Sequence, residues 1–258
     1  MMAEMTLAVT AALAPGQRLL LASGPLAGDV PALLFSGTAP GLRAGDVLAA
    51  EGRNVLRVES ALWWPERPAR RAWLVEVLAP VQAGEVRLAA LRPGRSLAWI
   101  TLSDKGAEGL RQDASGPLIE ELVAARLPLS LARGFLLPDD EPALRALLTD
   151  LALVQGFDLI LTTGGTGVAP RDVTPEATLA VIEKRLPGFE RAMTAASLAK
   201  TPFGAVSRAV AGTLGQSLIV NLPGSPKAVR ECLEPLLPAL AHTLGKLQGD
   251  PAECGSAG

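Results

Sequence analysis

Histidine is nearly absent from this 258-residue chain, His242 being the only one. Multi-histidine zinc sites are thereby excluded, and a Ser-His-Asp or Cys-His system would have to use that one imidazole. His242 falls in an apolar C-terminal helical pattern, which favours a surface or packing role. The two cysteines, Cys232 and Cys254, give neither a disulfide framework nor a metal-ligand spacing. A reduced, cytoplasmic protein is the default, and Cys232 reads as a small helix-packing residue. Tyrosine is missing, aromatic residues make up 3%, and the formal net charge is -2. A nucleic-acid groove needs clustered positive charge, with stacking rings where the strand is single, and neither is visible. Although 49% of the residues are hydrophobic, no apolar run reaches the roughly 18 residues of a membrane span without charge, Gly or Pro. The start, MMAEMTLAV, is acidic rather than basic, so no signal peptide is expected.

What is present divides near Leu91-Arg92-Pro93-Gly94-Arg95, into residues 1–94 and 95–258. In the first part, short apolar segments (RLLLAS, ALLFSG, DVLAAEG, NVLRVES, AWLVEV, EVRLAAL) alternate with turns such as Ser23-Gly24-Pro25, Ala39-Pro40-Gly41 and Glu51-Gly52. This pattern predicts a small, β-rich, mostly antiparallel domain. Trp63, Trp64 and Trp73 read as core or interface anchors there. No residue constellation in this part carries chemistry.

After Pro93 strands alternate with helices. SLAWITL at 96–102, Leu129–Leu136, Leu159–Leu161 and Ser217–Leu222 read as strands. Helices are predicted from Gly116 to Ala125 with Ser115 as N-cap, from Glu141 to Val154, and from Lys227 to Leu247. Alternation of this kind predicts an α/β fold with a mostly parallel sheet and helices on both faces. Ligands of such sheets bind outside the carboxyl ends of the strands.

Four groups follow predicted strands: Ser103-Asp104, Asp139, Gly164-Gly165-Thr166-Gly167 with Arg171 and Asp172, and Asn221–Lys227. Glycines after a buried strand let backbone N–H groups converge on an anion, because no Cβ blocks the approach. A nearby carboxylate can hold the divalent cation that accompanies a polyphosphate. Each group also has a plainer reading. Asp139 and Asp172 suit helix starts, Arg171 is a surface charge, and the glycines form a turn. Lys227 at a helix start opposes the dipole, which makes a neighbouring anion sensible.

The second part resembles the MoaB/Mog family of molybdenum-cofactor biosynthesis. The matching segments are Ile100-Thr101-Leu102-Ser103-Asp104-Lys105 with Gly109 and Asp113, Leu136-Leu137-Pro138-Asp139, and Leu161–Gly167. RDVTPEAT from Arg171, Leu186-Pro187-Gly188-Phe189, Ser207-Arg208 and NLPGSPK from Asn221 follow in order, before Glu231-Cys232-Leu233. The resemblance covers about residues 96–250, and residues 1–94 have no counterpart in the minimal family member. It implies a homotrimer, ATP and molybdopterin as substrates, Mg²⁺, and adenylyl transfer to the terminal phosphate of molybdopterin with release of pyrophosphate. Other molybdenum-cofactor biosynthesis proteins are the implied partners. Carried over by position, Asp139 and Asp172 are the catalytic and metal-binding acids. Ser103, Asp104, Asp113, Gly164, Gly165, Thr166, Gly167, Arg171, Asn221, Pro223, Gly224, Ser225 and Lys227 are the binding residues. The alternatives are a molybdenum-insertase-like or CinA-like nucleotide-hydrolysing activity, and a non-catalytic molybdopterin carrier. Thr166 and Arg171-Asp172-Val173-Thr174 favour the adenylyltransferase branch.

Overall fold

The computed structural model describes residues 4–37, 41–110 and 112–249, so Cys254 and the turn at Ala39-Pro40 lie outside the described residues. The chain divides into two compact units, Met1–Ser96 with Leu129–Leu131, and Leu97–Pro128 with Ala132–Gly258.

The first unit is a closed barrel of seven strands: β1 (Glu4–Val9), β2 (Arg18–Ala22), β3 (Ala32–Gly37), β4 (Val47–Ala50), β5 (Arg53–Trp64), β6 (Arg70–Val77) and β7 (Gly84–Leu91). Strand β1, which no apolar run had marked, pairs antiparallel with both β3 and β7 and so closes the ring. All pairings are antiparallel except β2 with β3. Alternation along β1 buries Met5, Leu7 and Val9, the side expected to face the interior in a period-two strand. They join Leu21, Phe35, Leu48, Leu56, Trp73 and Leu88 in one core. Burial of each large side chain contributes on the order of 1.5–3 kcal/mol. The Trp73 indole N–H donates to the Leu42 carbonyl at 3.1 Å, which satisfies the polar atom of a core residue. Trp63 is 58% exposed, under the guanidinium of Arg71.

The second unit holds a six-stranded sheet in the order β11-β12-β13-β10-β8-β9. Its strands are β8 (Arg95–Leu102), β9 (Leu129–Leu137), β10 (Leu159–Thr163), β11 (Lys184–Arg185), β12 (Ala211–Leu214) and β13 (Ser217–Leu222). The helices are α1 (Asp104–Ala107), α2 (Ser115–Ala124), α3 (Glu141–Thr149), α4 (Thr174–Leu179), α5 (Pro187–Leu198), α6 (Pro226–Leu233) and α7 (Leu237–Leu247). Every residue of β10 and of β13 is buried, which is why both read as continuous apolar runs.

The sheet is mixed rather than mostly parallel. Strand β10 runs parallel to β8 and β13, whereas β12 is antiparallel to β13 and β11 antiparallel to β12. Only Gly215 and Gln216 separate β12 from β13, and a two-residue connection can join only antiparallel strands. Gly215 takes the positive φ of 56° that this turn requires.

Three helix expectations change as well. The C-terminal helix is two, because Pro235 and Pro238 cannot donate to the preceding turn, and the break falls between α6 and α7. The third helix keeps α-geometry only to Thr149, and Asp150–Gln155 continue as a π-helical turn ending at Gly156, φ 73°. Ser115 is the first residue of α2 rather than its cap. Asp113 takes the N–H groups of Ser115 and Gly116, each at 3.0 Å, and leaves the Ser115 hydroxyl free to bond the Gly224 carbonyl at 3.0 Å.

Cys232 lies in the core at 3% exposure, and burial, with the Glu231 charge adding to it, pushes the thiol up to about 11. The Cys232 peptide should therefore resist iodoacetamide at pH 8 in the native protein and label after denaturation. Rapid native labelling, read by mass spectrometry, would contradict this placement.

Candidate functional site

The carboxyl ends of β8, β9, β10 and β13 lead into the four groups that the sequence singles out. Ser103 follows β8 and caps α1, accepting from the Gly106 N–H at 3.1 Å. Asp139 follows β9, and its N–H donates to Asp104 at 3.1 Å, tying the first two groups together. The ends of β10 and β13 meet through Gly164, whose N–H donates to the Leu222 carbonyl at 3.2 Å, and through Thr163, whose hydroxyl donates to the Pro223 carbonyl at 2.7 Å. A cavity of about 200 Å³ opens among them, lined by Thr101, Ser103, Asp113, Ser115, Thr163 and Gly224.

Gly164 has no substitute. Its φ is 99°, and a Cβ there would sit 2.4 Å from the Leu102 carbonyl oxygen. Across the site, a Cβ on Gly224 would lie 3.3 Å from the Gly164 Cα, so the two loops approach glycine to glycine.

The four carbonyls of the loop are all taken. The Thr174 hydroxyl donates to Gly164 O at 2.9 Å, and the Thr174 N–H donates to Gly165 O at 3.1 Å. The Arg208 N–H donates to Thr166 O at 2.9 Å, and its Nε donates to Gly167 O at 2.7 Å. A trans peptide points its N–H opposite to its C=O. The N–H groups of Gly165, Thr166, Gly167 and Val168 therefore face away from these donors, and among the described residues no acceptor takes them. Thr174 and Arg208 lie within motifs visible in the sequence, but nothing in those motifs marks them as site residues. Their partners in the loop are main-chain atoms, which leave no side-chain pattern to read.

The acids have distinct settings. Asp104 accepts from Arg171 at 2.8 Å, and Arg171 also reaches the Asp139 carbonyl at 3.3 Å. The Asp104 main chain hydrogen-bonds to the Asp139 carboxylate, and no side chain among the described residues donates to it. Burial, followed by the Asp104 charge, raises its pKa above the ordinary value of 3.8; Arg171 opposes that shift and Asp172 adds to it. Asp172 accepts from the Ala169 N–H at 2.8 Å through one oxygen, packed where a Cβ on Gly167 would be 2.7 Å away. Asp113 is fully engaged as the α2 cap and accepts from the Thr101 hydroxyl at 2.7 Å.

Asn221 is not where a binding role would put it. Asn221 is a residue of β13, fully buried, and its amide donates to the hydroxyls of Thr162 and Thr178 at 3.0 and 2.8 Å while its oxygen accepts from the Val210 N–H. It joins β13, β10 and α4 instead of lining the cavity. Lys227 is exposed in the first turn of α6 and, like Asp104, Asp139, Arg171, Asp172 and residues 164–167, is not among the residues that line the cavity, whereas Ser225 caps that helix at its rim.

The raised Asp139 pKa has a stability consequence. A carboxyl whose folded pKa exceeds its unfolded value opposes folding above the folded pKa and is neutral in effect below the unfolded one. Asp139→Asn should therefore raise the Tm at pH 7, with the gain vanishing as the pH falls below the ordinary carboxyl range. A Tm lowered at pH 7 would show instead that the charge is compensated in the folded state.

Comparison with known proteins places the second part of the chain in a family. The family described as "Probable molybdopterin binding domain" matches residues 98–242, more than half of the chain. A molybdopterin adenylyltransferase of Helicobacter pylori (strain J99) is 39% identical over 152 residues, covering 58% of this chain and 86% of that protein. The Haemophilus influenzae molybdopterin adenylyltransferase is 43% identical over 137 residues, 52% of this chain and 69% of its own. Among solved structures, the molybdopterin biosynthesis enzyme MoaB from Thermus thermophilus superposes with a TM-score of 0.57 at 46% identity, covering 62% of this chain and 99% of that one. The tungsten cofactor synthesizing protein MoaB from Pyrococcus furiosus gives 0.55 at 33% identity, covering 61% and 99%. The resemblance seen in the sequence is thus borne out, and the chain belongs to the molybdopterin-binding family of MoaB and Mog proteins.

Proposed function

We propose that this protein is a molybdopterin adenylyltransferase of molybdenum-cofactor biosynthesis, transferring AMP from ATP to the terminal phosphate of molybdopterin. The observation that carries the reading is the run of four N–H groups, Gly165 to Val168, left without an acceptor among the described residues beside a carboxylate pair. Such a run is an anion cradle.

In the proposed reaction a molybdopterin phosphate oxygen attacks the α-phosphorus of ATP, the bond to the β-phosphate oxygen breaks, and pyrophosphate leaves. The nucleophile is already anionic at neutral pH, so no strong base is required. That suits a chain whose one histidine is exposed on α7. The chain's own contribution is alignment and charge neutralisation. The loop amides would take phosphate oxygens, Arg171 and Lys227 would supply positive charge, and the cavity bounded by Thr101, Asp113 and Ser115 would seat molybdopterin.

The residues fit a bound Mg²⁺. No group of three or more acidic, His or Cys ligands gathers among the described residues, and Mg²⁺ commonly binds through one or two carboxylates together with substrate phosphates. The Asp139 carboxylate, without a side-chain donor among the described residues and raised in pKa by burial and by the Asp104 charge, lies in a field that a cation would relieve. Asp139 and Asp172 are the proposed ligands. Bound there, Mg²⁺ supplies neutralisation of the phosphate charge.

We further propose a homotrimer acting in the cytoplasm alongside other molybdenum-cofactor biosynthesis proteins. Large apolar side chains stand exposed on neighbouring segments of the second unit: Leu179 at 46%, Leu198 at 46%, Phe203 at 80% and Val206 at 43%. No helix among the described residues is long and apolar enough to cross a membrane.

Purified protein given Mg²⁺, labelled ATP and molybdopterin should form adenylylated molybdopterin and pyrophosphate. Molybdopterin binding with no nucleotide product at any metal concentration would point to a carrier; ATP hydrolysis without transfer would point to a nucleotide hydrolase. Asp172→Asn should abolish turnover with the fold intact by circular dichroism, and full activity there would remove its assigned role. In sedimentation velocity, Phe203→Glu should shift a trimeric wild type towards monomer; an unchanged trimer would place the interface elsewhere.

A further inference from the structure

Arg208 holds the last two residues of the glycine loop through both its main chain and its side chain. Its N–H and Nε hold the carbonyls of Thr166 and Gly167, at 2.9 and 2.7 Å. Its Nη2 donates to the Asp172 carbonyl at 2.7 Å, and its Nη1 pairs with the Glu176 carboxylate in the first turn of α4. Fixing those carbonyls also fixes the N–H directions of Gly167, Val168 and Val173, because each peptide is planar. The loop has little stiffness of its own, since three of its four residues at 164–167 are glycines. The ion pair with Glu176 is a minor part of this, because the Glu176 side chain is 48% exposed and surface pairs contribute little.

We infer that Arg208 is a positioning residue for the polyphosphate. Its guanidinium is occupied by loop carbonyls, and through them it aims the loop N–H groups at the anion. The inference rests on the proposed use of the loop as the ATP cradle. Lysine cannot replace it, because a single ammonium on a flexible stem lacks the planar fork that spans Gly167, Asp172 and Glu176.

Calorimetric titration of the full chain with Mg·ATP, with inorganic tripolyphosphate and separately with molybdopterin tests this. Arg208→Ala and Arg208→Lys should each lose roughly 10- to 100-fold in affinity for ATP and tripolyphosphate, the scale of a displaced positioning group. Their molybdopterin affinity should stay within about twofold of wild type, and guanidinium chloride should restore part of the ATP affinity of Arg208→Ala. Glu176→Gln should change ATP affinity by less than about threefold, as expected of an exposed pair. ATP affinity at the wild-type level in either folded Arg208 variant overturns the inference. So does an equal loss for ATP and molybdopterin, or loss of the cooperative thermal transition in both variants, since each makes Arg208 a general folding residue. A wild type that binds molybdopterin but neither ATP nor tripolyphosphate would instead refute the cradle reading itself.

Discussion

The inward turn of four successive carbonyls, Gly164 to Gly167, is the constraint on which the site depends. Thr174 and Arg208 supply all four donors, and peptide planarity converts that arrangement into four outward N–H groups. The constraint reaches back into the fold. Gly164 fits only because its backbone passes the Leu102 carbonyl with no Cβ between them, so the approach of the β8 and β10 ends and the loop conformation are one requirement. Thr174, fully buried, makes the start of α4 part of the same requirement.

Negative charge is the second organising element. Asp104, Asp139 and Asp172 lie close enough for the first and third to bear on the protonation of the second. Asp104 is satisfied by Arg171 and by the Asp139 N–H, and Asp172 by the Ala169 N–H, whereas the Asp139 carboxylate has only the Asp104 main chain against the pull of burial and of the Asp104 charge. Burial beside another negative charge is costly for a carboxylate. A site that keeps such a group holds less stability than its packing allows, a common trade where a cation or substrate is to be bound.

Much of this was legible in the sequence, and the reasons for the gaps are physical. Strands β10 and β13 are covered on both faces and so write continuous apolar runs, while the glycine loop and strand-end acids stand next to them. Strand β12 is four residues of small or mixed character, and only its two-residue turn to β13 fixes its direction, so the sheet's mixed character escaped notice. Asn221 misled for a related reason. It sits next to the loop in sequence but is still inside β13, facing threonine hydroxyls. Asp113 and Ser115 exchanged roles because either can cap a helix, and only the structure shows which hydroxyl or carboxylate has another use. Arg208 carried no side-chain signal, its partners being mostly carbonyl oxygens.

The barrel unit adds seven strands to the family's α/β unit, and its closure has a bearing on how it can be recognised. In a closed ring every strand has a neighbour on each side, so the barrel has no edge strand. An extended peptide cannot join it by strand addition, the mode by which open sheets commonly capture partners. Recognition of the barrel then falls mainly to side chains, through surface features such as the exposed Trp63 beneath Arg71.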